Sequence, residues 1–250
     1  MGNIITAELI EKFRKANYKL ILLDYDGTLV DFFPFPEKAK PSEKLLDILN
    51  KLITKPKTNV VIITGRAHKD IDNFLGHLPI NIIAEHGGML KINRIWKKHT
   101  IDNNLWKDKV LPIFNQITLA CPNSFIEEKQ FSLAWHYRNA ESGYAYSRKL
   151  IGLLENFIST TTLKILDGNK VVEILSNDLG KGKAVENLLK QNKYDFILSI
   201  GDDKTDEEMF EFLLDNPTAV TIKVGKGNTL AKFKLDNVDN VNTLLKQLLK

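Results

Sequence analysis

The sequence predicts an α/β protein: a parallel sheet covered by helices on both faces, with a smaller α/β layer inserted into it. Three observations carry this expectation. Short β-branched runs alternate with helical patterns, as a parallel sheet requires. Each run ends in a polar or glycine-containing cluster, and parallel sheets bind ligands at the carboxyl ends of their strands. The middle of the chain breaks the rhythm with strand, strand, helix, strand, strand.

The elements follow in order. Leu20–Leu23 is a buried-type apolar strand ending at Asp24. Ser42–Ile53 is a helix with Ser42, in Pro41-Ser42-Glu43-Lys44, as its N-cap. Val60–Ile63 ends at Thr64-Gly65-Arg66, and the helical stretch His68–Leu75 follows. Ile80–Ala84 ends at Glu85-His86-Gly87. Ser124–Glu128 and Phe131–Arg138 form two strands around Lys129-Gln130, and Glu141–Ile158 is an amphipathic helix. Leu163–Leu166 and Lys170–Leu175 flank Asp167-Gly168-Asn169, a hairpin signal. Gly182–Lys190 is helical, Phe196–Ile200 ends at Gly201-Asp202-Asp203, Thr205–Leu214 is helical, and Ala219–Val224 ends at Gly225. The expected division is a core of residues 1–96 and 177–250 with an insert over 97–176.

With 250 residues, 43% hydrophobic and 26% charged, the chain has the balance of a globular protein. A net charge of +4 without a basic stripe of interleaved aromatics argues against a nucleic-acid partner. No apolar run approaches the roughly 20 residues that span a bilayer, and the first residues lack a secretory pattern. Neither a membrane partner nor export is expected. Cys121 is the single cysteine, which suits a reducing, cytoplasmic setting; nothing in Ala120-Cys121-Pro122-Asn123 would activate it. The five histidines lack metal-ligand spacing, and Gly-x-Ser-x-Gly is absent.

The chemistry concentrates at strand ends. Asp24 and Asp26 are two apart, so in an extended chain they share a side, and Gly27 lets the backbone turn sharply. Adjacent like charges are costly to bury unless a cation compensates, and an all-oxygen set suits Mg²⁺. Asp202, nearest the end of its strand, is the natural third protein ligand, with Asp203 and Asp206 as supporting residues outside the ligand shell. Asp206 could cap the next helix, bind metal through water, or orient another ligand. Thr64 and Gly65 offer a hydroxyl and backbone N–H groups to an anion; the Arg66 fork could hold phosphate or position Glu85. Lys181 stands at a helix entry, where it would stabilise a phosphate or a phosphorylated carboxylate. Its loop is not a Walker loop, because positions 177 and 184 are Asn and Ala. Together these clusters propose a metal-assisted site for a phosphorylated ligand.

The ordered set Asp24-x-Asp26-Gly27-Thr28, Thr64-Gly65-Arg66, Lys181-Gly182 and Gly201-Asp202-Asp203-x-x-Asp206 resembles the four motifs of the haloacid dehalogenase-like phosphohydrolases. Glu85-His86-Gly87, Glu127-Glu128-Lys129, Trp135-His136-Tyr137-Arg138 and Lys170-Val171-Val172-Glu173-Ile174 narrow the resemblance to trehalose-6-phosphate phosphatases, over about Tyr18 to Leu214. The resemblance implies a Rossmann-like core with an inserted α/β cap, and a Mg²⁺-dependent phosphomonoesterase. Asp24 would be the nucleophile and Asp26 the general acid/base. Asp24, Asp202 and the backbone carbonyl of Asp26 would hold Mg²⁺. Thr64 and Lys181 would bind the phosphoryl group, and Gly65, Arg66, Glu85, His86 and Arg138 would line the substrate site. Glu127, Lys129 and Glu173 match the cap positions that grip the disaccharide.

The departures, Gly180 and Lys204, lie at positions that vary in that family. Phe32-Phe33-Pro34-Phe35-Pro36-Glu37 resembles forms fused to a trehalose-6-phosphate synthase, so a synthase, separate or in one chain, is the expected partner. The N-terminus fits a natural start or a domain of a longer chain. Two other readings stand beside this one. One is a phosphatase of sucrose 6-phosphate or a mannosyl phosphate, against which Glu127, Lys129 and Glu173 argue. The other is a non-catalytic module regulating a synthase, against which Asp24 and Asp26 argue.

Overall fold

In chain order, the computed structural model places α1 at Gly2–Lys15, β1 at Lys19–Leu23, α2 at Glu43–Ile53, β2 at Thr58–Ile63, α3 at His68–Leu75 and β3 at Asn81–Ala84. Next come β4 at Met89–Ile92, β5 at Ile95–Lys98, α4 at Leu105–Ala120, β6 at Phe125–Glu128, β7 at Ser132–His136 and α5 at Gly143–Ile158. β8 is Leu163–Gly168, β9 Val171–Ser176, α6 Lys181–Gln191, β10 Phe196–Gly201, α7 Lys204–Phe212, β11 Ala219–Val224, β12 Phe233–Leu235 and α8 Val238–Gln247. The structure describes residues 2–98, 105–159 and 161–250. The chain forms two compact units, Met1–Lys98 with Lys181–Lys250, and His99–Gly180.

The first unit is built on one sheet in the order β12-β11-β10-β1-β2-β3-β4-β5. β1 lies between β10 and β2, parallel to both, with Leu20 opposite Ile197 and Asn59. The chain therefore fills one side of β1 with its early strands and the other side with its late ones. Such a reversal of strand order opens a crevice at the carboxyl ends of the strands. Leu20, Leu22, Val61, Ile63 and Ile197 face Val185 of α6 and Met209, Phe210 and Leu213 from and beside α7. α1 covers β10 through Phe13, whose ring meets Phe196 edge-on at 5.6 Å. α2 buries Leu45, Ile48, Leu49 and Leu52, an i, i+3, i+4, i+7 stripe, and Ser42 caps it by accepting from Leu45 N at 3.2 Å.

The expected parallel sheet runs from β12 to β3, and β4 and β5 extend it as antiparallel strands. They form a hairpin whose two-residue turn, Asn93 and Arg94, has both φ values positive, at 52° and 68°, the conformation that matches strand twist. Its strand β5 belongs to the first unit, whereas residue 97 was expected to open the insert.

The second unit is larger than strand, strand, helix, strand, strand. α4 precedes its strands, and residues 177–180 belong to it. Val110, Phe114 and Ile117 give α4 a buried stripe despite Pro112, which removes one backbone donor and obscures the helical pattern. The antiparallel sheet runs β6-β7-β9-β8. α4 and α5 cover one of its faces, packing on Leu133, Trp135, Val172 and Ile174. The Trp135 indole N–H donates to Ser124 Oγ at 3.2 Å.

Candidate active site

The first unit gathers its acidic residues where β1 and β10 end. Gly27 turns the chain at φ 77°, and a Cβ there would stand 2.4 Å from the Asp202 carboxylate and 2.6 Å from the Phe32 ring. Only glycine allows this close approach. Asp24 is 4% exposed, and its Oδ1 accepts from Lys181 Nζ at 2.7 Å. The same ammonium donates to Asp206 Oδ1 at 2.8 Å. Asp206 Oδ2 accepts from the N–H groups of Asp202 and Asp203, at 2.8 and 3.0 Å. Asp203 caps α7, accepting from Thr205 N at 2.8 Å and Asp206 N at 3.3 Å in a reciprocal capping box.

Of the three roles left open for Asp206, the capping of α7 is present in the structure. Gly201 makes room for it, since a Cβ there would lie 2.2 Å from Asp206 Cγ. Gly201→Ala is expected to cost about 1–3 kcal/mol of stability, as overpacking does, and to lower activity with it. Thermal unfolding beside a rate assay would read both, and an unchanged melting temperature would show that Asp206 can step aside.

One ammonium faces four carboxylates, and the charges show it. Burial pushes Asp24 above the usual carboxylate range, helped by Asp203 and Asp26 against Lys181. Burial and then Asp24 push Asp202 up to about 9. Burial also raises Asp206, with Asp24 and Asp203 adding to it. Burial works against the charge of Lys181, yet Asp206 and Asp24 hold it well above the ordinary lysine value. Burial likewise opposes the charge of Asp203, which Lys181 and Thr205 nonetheless draw below the usual value.

Among the described residues, Asp24, Asp202 and Asp206 each offer an oxygen within 4.8 Å of the others. Hard oxygen donors with excess negative charge fit Mg²⁺.

Asp26 is held from the other side. Arg66 donates to both of its oxygens, Nε to Oδ2 and Nη2 to Oδ1, each at 2.6 Å. Nη1 reaches the Pro36 carbonyl at 2.9 Å, and the guanidinium lies over the Tyr25 and Phe74 rings. The fork expected on phosphate or beside Glu85 is therefore committed to Asp26. Glu85 accepts instead from His68, at 2.8 Å from Nδ1. Glu85 and His86 both have positive φ, at 51° and 55°. Their N–H groups donate to the carbonyls of Arg66 and Thr64, clamping the loops after β2 and β3 together. Thr64 Oγ1 accepts from Arg66 N at 3.1 Å. Gly65 leaves room for the His86 ring, which a Cβ would meet at 2.6 Å.

The second unit brings Glu127, Lys129 and Glu173 together on the face opposite its helices. Glu127, Ala134 and Glu173 are direct cross-strand neighbours. Lys129 Nζ bridges the two carboxylates, 2.9 Å from Glu173 Oε1 and 3.9 Å from Glu127 Oε2. Sequence reasoning missed two members of this row, Ser132 and His136. They bond Glu173 and Glu127, and their signal was the i, i+2, i+4 alternation with Ala134. Burial opposes the charge of Glu127, but Lys129 and His136 lower its pKa. Arg138 donates to the Asn169 carbonyl at 2.8 Å, in the turn between β8 and β9.

The family model for trehalose-phosphatase matches residues 22–239. The chain belongs to the trehalose-phosphatase family. A bifunctional trehalose-6-phosphate synthase/phosphatase of Thermoproteus tenax is 39% identical over 251 residues, covering 99% of this chain and 34% of that protein. The chain spans about a third of the length of the curated relatives it matches. The C-terminal domain of a C. albicans trehalose-6-phosphate phosphatase superposes with a TM-score of 0.91 at 29% identity, over 98% of this chain and 96% of that one. A haloacid dehalogenase-like hydrolase from B. subtilis, 16% identical with a TM-score of 0.64 over 91% of this chain and 98% of that one, shares the fold. The α/β core of this family member thus has the fold of that hydrolase.

Proposed function

We propose that this chain is a Mg²⁺-dependent phosphomonoesterase that hydrolyses trehalose 6-phosphate to trehalose and phosphate through an aspartyl-phosphate on Asp24. The observation that carries this reading is the buried Asp24–Lys181–Asp206 chain of ion pairs at the ends of β1 and β10. It holds one carboxylate oxygen of Asp24 against a cation. Family membership supports the sugar.

Asp24 attacks phosphorus in line, and the bond from phosphorus to the sugar oxygen breaks. Lys181 offsets the charge shared between the carboxylate and the phosphoryl oxygens. Thr64 supplies a hydroxyl. Mg²⁺ held by Asp24, Asp202 and the Asp26 carbonyl would supply Lewis-acid charge neutralisation. Asp26 gives its proton to the leaving sugar oxygen, then takes one from the water that hydrolyses the acyl phosphate. The two Arg66 bonds orient Asp26 and leave each of its oxygens a second lone pair for that proton. Glu127, Lys129 and Glu173 bind sugar hydroxyls. A trehalose-6-phosphate synthase, separate or in one chain, supplies the substrate in the cytoplasm. Among the described residues no helix is long and apolar enough to cross a membrane.

Phosphate release from trehalose 6-phosphate, with and without Mg²⁺, tests the reading against sucrose 6-phosphate and a mannosyl phosphate. Preference for either competitor would overturn the sugar assignment, and no turnover of any would mark a non-catalytic module. A second measurement separates the sugar residues from the core. A charged hydrogen bond to a neutral hydroxyl is worth about 1.5–3 kcal/mol, or roughly ten- to more than a hundredfold in kcat/KM. Alanine at Glu127, Lys129 or Glu173 is expected to lower kcat/KM for trehalose 6-phosphate by that order. Hydrolysis of p-nitrophenyl phosphate should hardly change. Equal losses on both substrates would remove these residues from sugar recognition.

A further inference from the structure

We propose that Lys223 and Glu207 are positioning residues that hold the metal ligand Asp202 in place through its backbone carbonyl. The inference rests on the reading of Asp202 as a Mg²⁺ ligand. β11 runs parallel to β10, and Lys223 is in register with Gly201, one residue before Asp202. Lys223 is 6% exposed, in a strand whose residues are all buried. A lysine there is tolerated only if its charge is matched and its protons are bonded. Its Nζ donates to the Asp202 carbonyl, and Glu207 Oε1 on α7 lies 3.6 Å away. Glu207 is itself anchored: its Oε2 accepts from Leu230 N at 2.8 Å and Thr229 Oγ1 at 3.2 Å.

On its other side, the Asp202 N–H donates to Asp206 Oδ2 at 2.8 Å. Both peptide groups flanking Asp202 are therefore pinned by charged side chains from α7 and β11. None of these bonds uses a carboxylate oxygen of Asp202. Asp24 and Asp206 repel that carboxylate, whereas the bonds to its backbone on both sides hold it. Lys223 and Glu207 carry opposite charges, so the pair adds no net charge beside the site; loss of the Lys223 charge alone would favour a cation there, and a weaker Mg²⁺ affinity in Lys223→Met therefore reports lost positioning.

Losing a partner that orients a metal ligand costs about 10–100-fold in metal affinity. Calorimetric titration of the substrate-free protein with Mg²⁺ reads this directly, with melting temperature in EDTA as the control for folding. Lys223→Met is expected to raise the Mg²⁺ Kd by about 10–100-fold, and most of the lost rate should return at saturating Mg²⁺. Glu207→Gln, which keeps the size and the acceptor for Leu230 N, should shift Kd the same way by less. It carries the test if Lys223→Met does not fold. A Kd unchanged in the folded variants would overturn the proposal, leaving Lys223 a structural residue whatever happens to the melting temperature. An unaltered protein that binds no Mg²⁺ would overturn both this and the metal reading. One that binds Mg²⁺ but leaves trehalose 6-phosphate intact would overturn only the substrate reading.

Discussion

Asp24→Asn is expected to abolish turnover, by roughly 10⁴-fold or more as when other enzymes lose their nucleophile, while leaving the fold intact. The amide keeps the shape of the side chain and can still accept from Lys181. It cannot form the acyl phosphate, and it is a weak ligand for a hard cation. Loss of one buried negative charge also relieves repulsion with Asp202 and Asp206, both of which Asp24 pushes up. The variant should therefore melt no lower than the parent in the absence of metal. A substantial residual rate would place the nucleophile elsewhere, and a large drop in melting temperature would mean that rate loss reports unfolding. Mass spectrometry of a quenched reaction should find the phosphoryl group on Asp24 in the parent and on no residue of the variant.

Removing divalent cations is expected to lower the rate at least about a hundredfold and to change how stability responds to pH. Without a cation, Asp202 sits at about 9 against an ordinary value of 3.8, and Asp24 and Asp206 are raised too. Between those two values the folded protein binds more protons than the unfolded chain, so its stability falls as pH rises. Asp203 and Glu127, drawn below their ordinary values, act only at lower pH and in the opposite sense. Mg²⁺ favours the ionised forms and offsets the loss. In EDTA the melting temperature should decline from about pH 5 to about pH 9, and the increment added by Mg²⁺ should grow over the same range. An increment that stays flat or shrinks would mean that the carboxylates are not the ligands.

The core was legible where local signals agree with tertiary structure. Leu20–Leu23, Val60–Ile63 and Phe196–Ile200 are apolar runs too short for helices, and each lies within a parallel strand. A parallel sheet places their carboxyl ends on one side, so Asp24, Thr64 and Asp202 could be assigned there from the sequence. The Arg66 partner was not legible. It depends on a loop after β1 that brings the Pro36 carbonyl and Asp26 to the same guanidinium. The Glu85–His68 pair depends on two successive positive φ angles that no residue type signals. β4 and β5 were missed because Asn93-Arg94 lacks the glycine that marks most two-residue turns. α4 was hidden by Pro112. In the second unit, the alternation of Ser132, Ala134 and His136 was visible, but only the register with β6 and β9 shows what they face.

The central position of β1 has a consequence for how the chain is made. Its two neighbours, β2 and β10, come from opposite sides of the second unit in sequence. As the chain leaves the ribosome, residues 1–98 emerge with β1 paired on one edge only. The second unit is contiguous and holds all the partners of its own sheet, so it can close next. Lys181 and β10 emerge only after the second unit, and the Asp24 ion pair forms only then. Non-local pairing of this kind is slow and leaves an open strand edge meanwhile. Pulse-labelled hydrogen exchange during refolding should protect α5 and β9 before β1, and protection in the reverse order would contradict this sequence of events. The acidic site then closes only once β10 is in place, and a truncated chain that stops before β10 would lack Asp202, Asp203 and Asp206 and leave one edge of β1 unpaired.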